Sequence, residues 1–233
     1  EYNEVLEELA GDEYKSVNIA DYISTGKGRI RTTSSNKIAI LYAQGNILYG
    51  KGDESYIGQE SMIKAIRKIK KDSKIKAVVL RVNSPGGVAL TADLIWRELE
   101  LLKQEKTLVV SMGNYAASGG YYIACNADKI FAEPTTITGS IGVFGTIPNF
   151  SGLAKNIGIN AEQVSTNKNS MGYSPYEPMT KDFYNVTKEG IERVYTMFLE
   201  RVAKGRNMTY DQVDEVAQGR VWTGKEALEV GLV

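Results

Sequence analysis

There is no histidine anywhere in the 233 residues. A Ser-His-Asp triad or a Cys-His pair therefore cannot be assembled within the chain, and the common His-containing zinc sites are excluded with them. Cysteine is nearly as scarce. Cys125 stands alone, so there is no internal disulfide framework and no thiolate cluster to replace the missing imidazoles. Acid–base chemistry near neutral pH is left to Lys, Asp, Glu, Tyr or a second chain. Net charge is zero, with 28 Lys+Arg against 28 Asp+Glu. No basic excess points to nucleic acid, and no acidic excess to a solvating tail. Nowhere do about 18 apolar residues follow one another, so no bilayer-spanning segment is expected. The chain opens on Glu1, lacks an initiator Met and shows no targeting segment, which suggests an excised piece rather than a native start.

What is present reads as alternation. Residues 1–10 place Val5, Leu6 and Leu9 at helical spacing, and residues 12–36 are polar and irregular, so 1–36 reads as an arm or linker before a domain at 37–233. Short apolar runs rich in β-branched residues predict strands at 38–43, 75–82, 107–112, 130–132 and 141–144. Helices are expected between them. One spans 61–71 on Met62, Ala65, Ile66 and Ile69, a second follows on Leu90, Leu94, Ile95, Leu99 and Leu101, and a third lies around 116–127. A long helix is expected over 180–204 and short ones near 210–218 and 225–230, with Thr209 and Thr223 as N-caps and Gly231 as a stop. The βαβα order argues for an α/β fold with a mostly parallel sheet. The strands are continuous apolar runs, as when both sheet faces are covered.

Three glycine-rich segments carry the chemical signal. Asn83-Ser84-Pro85-Gly86-Gly87 follows a strand and leads into a helix. It is either a tight βα turn or a turn that bares backbone N–H groups to an anion. Ser111-Met112-Gly113-Asn114-Tyr115-Ala116-Ala117-Ser118-Gly119-Gly120-Tyr121-Tyr122 again follows a strand and opens a helix. Small neighbours leave Ser118 Oγ open to a close approach, although an N-cap or a small packing residue would look the same. Thr138-Gly139-Ser140-Ile141-Gly142-Val143-Phe144-Gly145 reads either as groove lining or as a bulged edge strand.

Taken together, RVNSPGG (81–87), SMGNYAASGGYYIA (111–124), PTTITGSIGVFG (134–145) and AQGRVWTGKEALEVGLV (217–233) resemble, in order and spacing, the SppA family of signal peptide peptidases. The resemblance covers roughly 37–233. It implies a ClpP/crotonase-like fold and a serine–lysine dyad, with Ser118 as nucleophile and Gly86, Gly87 and Gly119 as oxyanion donors. Lys168, in Val164-Ser165-Thr166-Asn167-Lys168, matches the family's lysine; a solvated surface lysine is the competing reading of that polar stretch. Long forms of the family have two similar halves, the first giving the lysine and the second the serine. This chain looks like the second half of such a form, which leaves Lys168 or a lysine of the other half as the base. The resemblance further implies apolar peptide substrates, a homo-oligomer, no metal and no cofactor. It also implies a place on the extracytoplasmic side of the bacterial inner membrane, through an anchor outside this chain. Val143, Phe144, Ile147, Tyr121 and Tyr122 would suit an apolar groove, or simply a core. Two other functions share the fold: a crotonase-type acyl-CoA enzyme, and a scaffold half without catalysis.

Overall fold

The computed structural model describes residues 34–167, 170 and 172–233. The helix expected at 1–10 and most of the arm therefore lie outside the described residues. Eight strands and seven helices are described, in the order β1 (Lys37–Gln44), β2 (Asn46–Leu48), β3 (Tyr56–Gly58), α1 (Gln59–Lys71), β4 (Ile75–Ser84), α2 (Ala89–Lys103), β5 (Thr107–Ala117), α3 (Gly119–Ala124), β6 (Lys129–Phe131), β7 (Ile137–Gly139), α4 (Ser151–Asn156), α5 (Lys181–Arg206), α6 (Tyr210–Val216), β8 (Val221–Thr223) and α7 (Gly224–Glu229).

The main sheet runs β1-β4-β5-β7-β8, with β6 on β5, and all its pairings are parallel except β7 with β8. Burial alternates along these strands with period two. Leu41, Ala43, Val78, Leu80, Val82, Leu108, Val110 and Met112 are buried on one face. This face packs with Met62 and Ile66 of α1 and with Ala92, Ile95, Trp96, Leu99 and Leu102 of α2. Each Val, Leu, Ile or Met among them contributes roughly 1.5–3 kcal/mol when fully buried. The opposite face is more open than continuous apolar strands suggest: Ile38, Ile40 and Tyr42 of β1 are 68%, 58% and 66% exposed. In α2 the buried stripe is also rotated from the expected one, since Leu90 and Leu94 are exposed while Thr91, Ala92 and Trp96 are inside.

One irregularity positions the site. Val82 pairs with Met112 but Ser84 pairs with Ala116, so β5 carries extra residues opposite Asn83. Such a bulge bends the strand and re-aims the residues beyond it. Asn83 Oδ1 fills the gap by accepting the Tyr115 N–H at 3.2 Å. Buried Thr136 and Thr138 donate to the carbonyls of Gly113 (2.8 Å) and Ala116 (2.7 Å). The end of β5 thereby keeps Ser84 of β4 beside Ala116 and pairs with β7 through Tyr115, Ala116 and Ala117. Residues 141–144, expected as a strand, form none; the pairing segment is β7, four residues earlier.

Candidate active site

Two βα turns meet at the ends of β4 and β5. In the first, Gly86 and Gly87 take φ of +104° and +150°, values closed to most side chains. Strand β2 clasps this turn: Ile47 N–H donates to Gly86 O and Val88 N–H to Ile47 O, both at 2.8 Å. The Gly86 N–H donates to the buried Ser84 Oγ at 3.2 Å. In the second turn Ser118 stands at the N-cap position of α3 with φ +52° and ψ −122° and makes no cap hydrogen bond through its side chain. A non-glycine residue held there is strained by about 1–3 kcal/mol. Its N–H donates to Gly139 O and its carbonyl accepts from the Tyr122 N–H, each at 2.9 Å. Both backbone groups are thus pinned, while Oγ has no hydrogen-bond partner among the described residues.

The two turns are packed closely. A Cβ on Gly119 would lie 3.3 Å from Gly87 N, and one on Gly120 would lie 2.5 Å from Ser84 O. Neither the Gly87 nor the Gly119 N–H has a partner among the described residues. Two backbone N–H groups and one hydroxyl, all without partners among the described residues, thus lie in these two adjoining turns.

A cleft of about 1170 Å³ opens over this point, lined by Ser118, Gly86, Gly87 and Gly119 with Leu48, Tyr122, Val143, Phe144 and Phe198. Its walls are mostly apolar. Tyr121, read as possible lining, is instead fully buried and donates to Leu232 O at 2.8 Å. The ionisable lining groups are Glu192, Tyr195 and Asp214, besides Tyr122. Tyr195 donates to Asp214 Oδ1 at 2.6 Å and accepts the Gln218 N–H at 3.1 Å. Burial first, then that bond to Asp214, push its pKa up to about 12. It is a fixed donor, not a base. Among the described residues no lysine lines the cleft. Lys168 lies outside the described residues. Cys125 is buried, and burial pushes its thiol up to about 12, so it is no rival nucleophile. Among the described residues no acidic, His or Cys cluster could hold a metal, and no helix is long and apolar enough to cross a membrane.

Ser118, Gly86, Gly87 and Gly119 are thus brought together. The parts missed from the sequence are β2, which clasps the turn, Gly139, whose carbonyl holds Ser118, and the Tyr195–Asp214 pair. Three-residue strands show no periodicity, and no sequence signal marks a carbonyl.

Comparison with known proteins agrees with this architecture. A ClpP1 mutant from Listeria monocytogenes superposes with a TM-score of 0.54 at 15% identity, covering 83% of this chain and 88% of that one. The fold is therefore α/β and ClpP-like. "Protease 4" of Haemophilus influenzae is 42% identical over 93% of this chain and 35% of its own length. "Serine protease SPPA, chloroplastic" of Arabidopsis thaliana is 40% identical over 87% of this chain and 31% of its own length. The chain spans about a third of the length of these two relatives. Residues 100–233, which include Ser118, Gly119 and the walls around Val143, Phe198 and Asp214, match peptidase family S49, and to that family this chain belongs.

Proposed function

We propose that this chain carries the nucleophile of a serine peptidase acting on apolar, membrane-derived peptides such as signal peptides. The observation that carries the reading is Ser118 itself: a strained residue with an unbonded Oγ, beside two unpaired N–H groups, at the mouth of an apolar cleft. In the reaction, Ser118 Oγ attacks the scissile carbonyl carbon and its proton passes to a lysine amine. The carbonyl oxygen takes the negative charge and is held by the Gly87 and Gly119 N–H groups. Collapse breaks the C–N bond, the lysine returns the proton to the leaving amine, and water then hydrolyses the ester. Gly86 has its own N–H engaged by Ser84, so its part is to let the two turns touch.

The lysine comes from a neighbour: Lys168 of an adjacent copy, or a lysine of another half of a longer protein. The resemblance supports each source. The relatives named as proteases, at 42% and 40% identity, support peptidase chemistry over an acyl-CoA enzyme, which would leave Ser118 without a task. A homo-oligomer at the extracytoplasmic face of a bacterial inner membrane belongs to the same proposal. The test is covalent labelling by a fluorophosphonate probe. Labelling of the wild-type assembly, with none in Ser118→Ala, is expected. Equal labelling of both would overturn the assignment.

A further inference from the structure

Charge is unevenly placed on this molecule. The net charge is zero, yet residues 64–76 hold seven basic residues against one acid, Asp72. Arg67 pairs with Glu98, and Lys70 with Glu105. The other five, Lys64, Lys68, Lys71, Lys74 and Lys76, are exposed, and none has an ion-pair or side-chain hydrogen-bond partner among the described residues.

These lysines form one arc. Lys64, Lys68 and Lys71 stand at i, i+4 and i+7 on the outer side of α1, away from Met62 and Ile66, which are buried. The turn after α1 carries the row on to Lys74 and Lys76. Lys37, also exposed and unpaired, joins it from the start of β1, where its N–H donates to Lys74 O at 2.8 Å. Beneath the arc Lys106 Nζ donates to the carbonyls of Asp72 (2.8 Å) and Ile75 (2.7 Å), adding a positive charge with no carboxylate of its own. Asp72 Oδ1 accepts the Lys74 N–H at 2.9 Å. Like charges one helical turn apart oppose each other. The α1 dipole accounts for Lys68 and Lys71 in its last turn, but not for Lys64, Lys37 or Lys76.

A row of unpaired, accessible cations fits a dense anionic surface, either nucleic acid or an anionic bilayer. The neighbouring side chains favour the bilayer. Lys37 leads into Ile38 and Ile40, which are aliphatic and largely exposed. Such groups offer nothing to a phosphodiester backbone, whereas the boundary between headgroups and acyl chains takes them up. We propose that this basic arc docks the domain on an anionic lipid surface through the headgroup phosphates. The choice of a bilayer also rests on the membrane-derived substrates proposed above, but the binding is read without activity. The arc lies at the start of β4 and the Gly86 turn just past its end, ten strand residues or about 33 Å away. Docking therefore leaves the cleft uncovered.

The experiment sediments the full chain with vesicles of phosphatidylglycerol and phosphatidylcholine in equal parts, and with vesicles of phosphatidylcholine alone. Binding to the anionic vesicles only is expected, weakening as salt is raised. Each exposed lysine should contribute about fivefold, so a Lys64→Gln, Lys68→Gln, Lys71→Gln variant should bind roughly a hundredfold more weakly. A control variant, Lys155→Gln, Lys181→Gln, Lys225→Gln, loses the same charge elsewhere and should bind as the wild type does. Circular dichroism checks both folds. Fluorophosphonate labelling of Ser118 should be the same in all three proteins, so a failure of the peptidase reading shows in the labelling and a failure of docking in the vesicles. No binding to anionic vesicles, or equal loss in the two variants, would overturn the proposal. Tighter binding to an RNA duplex than to the anionic vesicles would overturn it in favour of nucleic acid.

Discussion

Gly86 and Ser118 touch without room for a methyl group between them: a Cβ on Gly86 would lie 2.8 Å from Ser118 Cβ and 2.7 Å from Gly119 N. The neighbours it would strike include backbone, which cannot swing aside. Gly86 also sits at φ +104°. Gly86→Ala should therefore push the Gly119 N–H out of line and strain the turn. Turnover of a fluorogenic peptide by the active assembly should fall roughly 10²-fold, the usual cost of one oxyanion donor. Urea denaturation should show a loss of about 1–3 kcal/mol. Unchanged turnover in a folded Gly86→Ala protein would remove this turn from the mechanism.

The strain at Ser118 gives a sharper test than loss of activity alone. At φ +52° and ψ −122° glycine is at ease and serine is not. Ser118→Ala should lower the rate on the order of 10⁴-fold and leave stability near that of the wild type. Ser118→Gly should lose the same activity yet gain roughly 1 kcal/mol, the strain released exceeding the added chain entropy. Melting temperatures of the three proteins decide it. A glycine variant less stable than the alanine variant would refute the claim that the nucleophile is held under strain.

How much of the molecule is legible in its sequence depends on range. Local signals hold: Thr209 and Thr223 both form full capping boxes, with Gln212 and Glu226, and α1, α2 and α5 fall close to their expected spans. The turns around Gly86 and Ser118 are marked by their glycines. Long-range pairing escapes such signals. Strands β2, β7 and β8 have three residues each, too few for a period, and exist because Gly87, Tyr115 to Ala117 and one another offer partners. Residues 141–144 look like a strand by composition but meet no ladder; Val143 and Phe144 line the cleft instead. The buried stripe of α2 differs from the expected one because Leu90 and Leu94 are as apolar as the residues beside them, and only packing decides which turn inward.

An acid-sensitive ion pair ties α1 to α2. Arg67 donates to Glu98, and that bond, ahead of the opposing effect of burial, holds the Glu98 carboxyl below its ordinary value. A carboxylate depressed in the folded state stabilises fully above its unfolded pKa of about 4.3 and loses that contribution as pH falls through the lower folded value. Arg67 is 62% exposed, so solvent screens the pair and the effect is modest. Urea midpoints measured from pH 7 down to pH 3 should fall less steeply in Glu98→Gln than in the wild type. Parallel curves would mean that the pair contributes nothing.

Ser118 Oγ has no hydrogen-bond partner among the described residues, and none of the described lysines lines its cleft. With no histidine in the chain, a hydroxyl so placed is a poor nucleophile near neutral pH unless an amine reaches it. Purified chain at high dilution should therefore be nearly silent on a fluorogenic peptide. Two sources of the amine then part company. If Lys168 of an adjacent copy supplies it, activity rises with protein concentration as copies assemble, and Lys168→Ala abolishes it at every concentration. If another half of a longer protein supplies it, the chain stays silent at all concentrations, Lys168→Ala changes nothing, and adding that half restores the rate. Sedimentation run at the assay concentrations fixes the assembly state for each point. Full activity in a strictly monomeric Lys168→Ala protein would contradict both sources, and with them the serine–lysine mechanism itself.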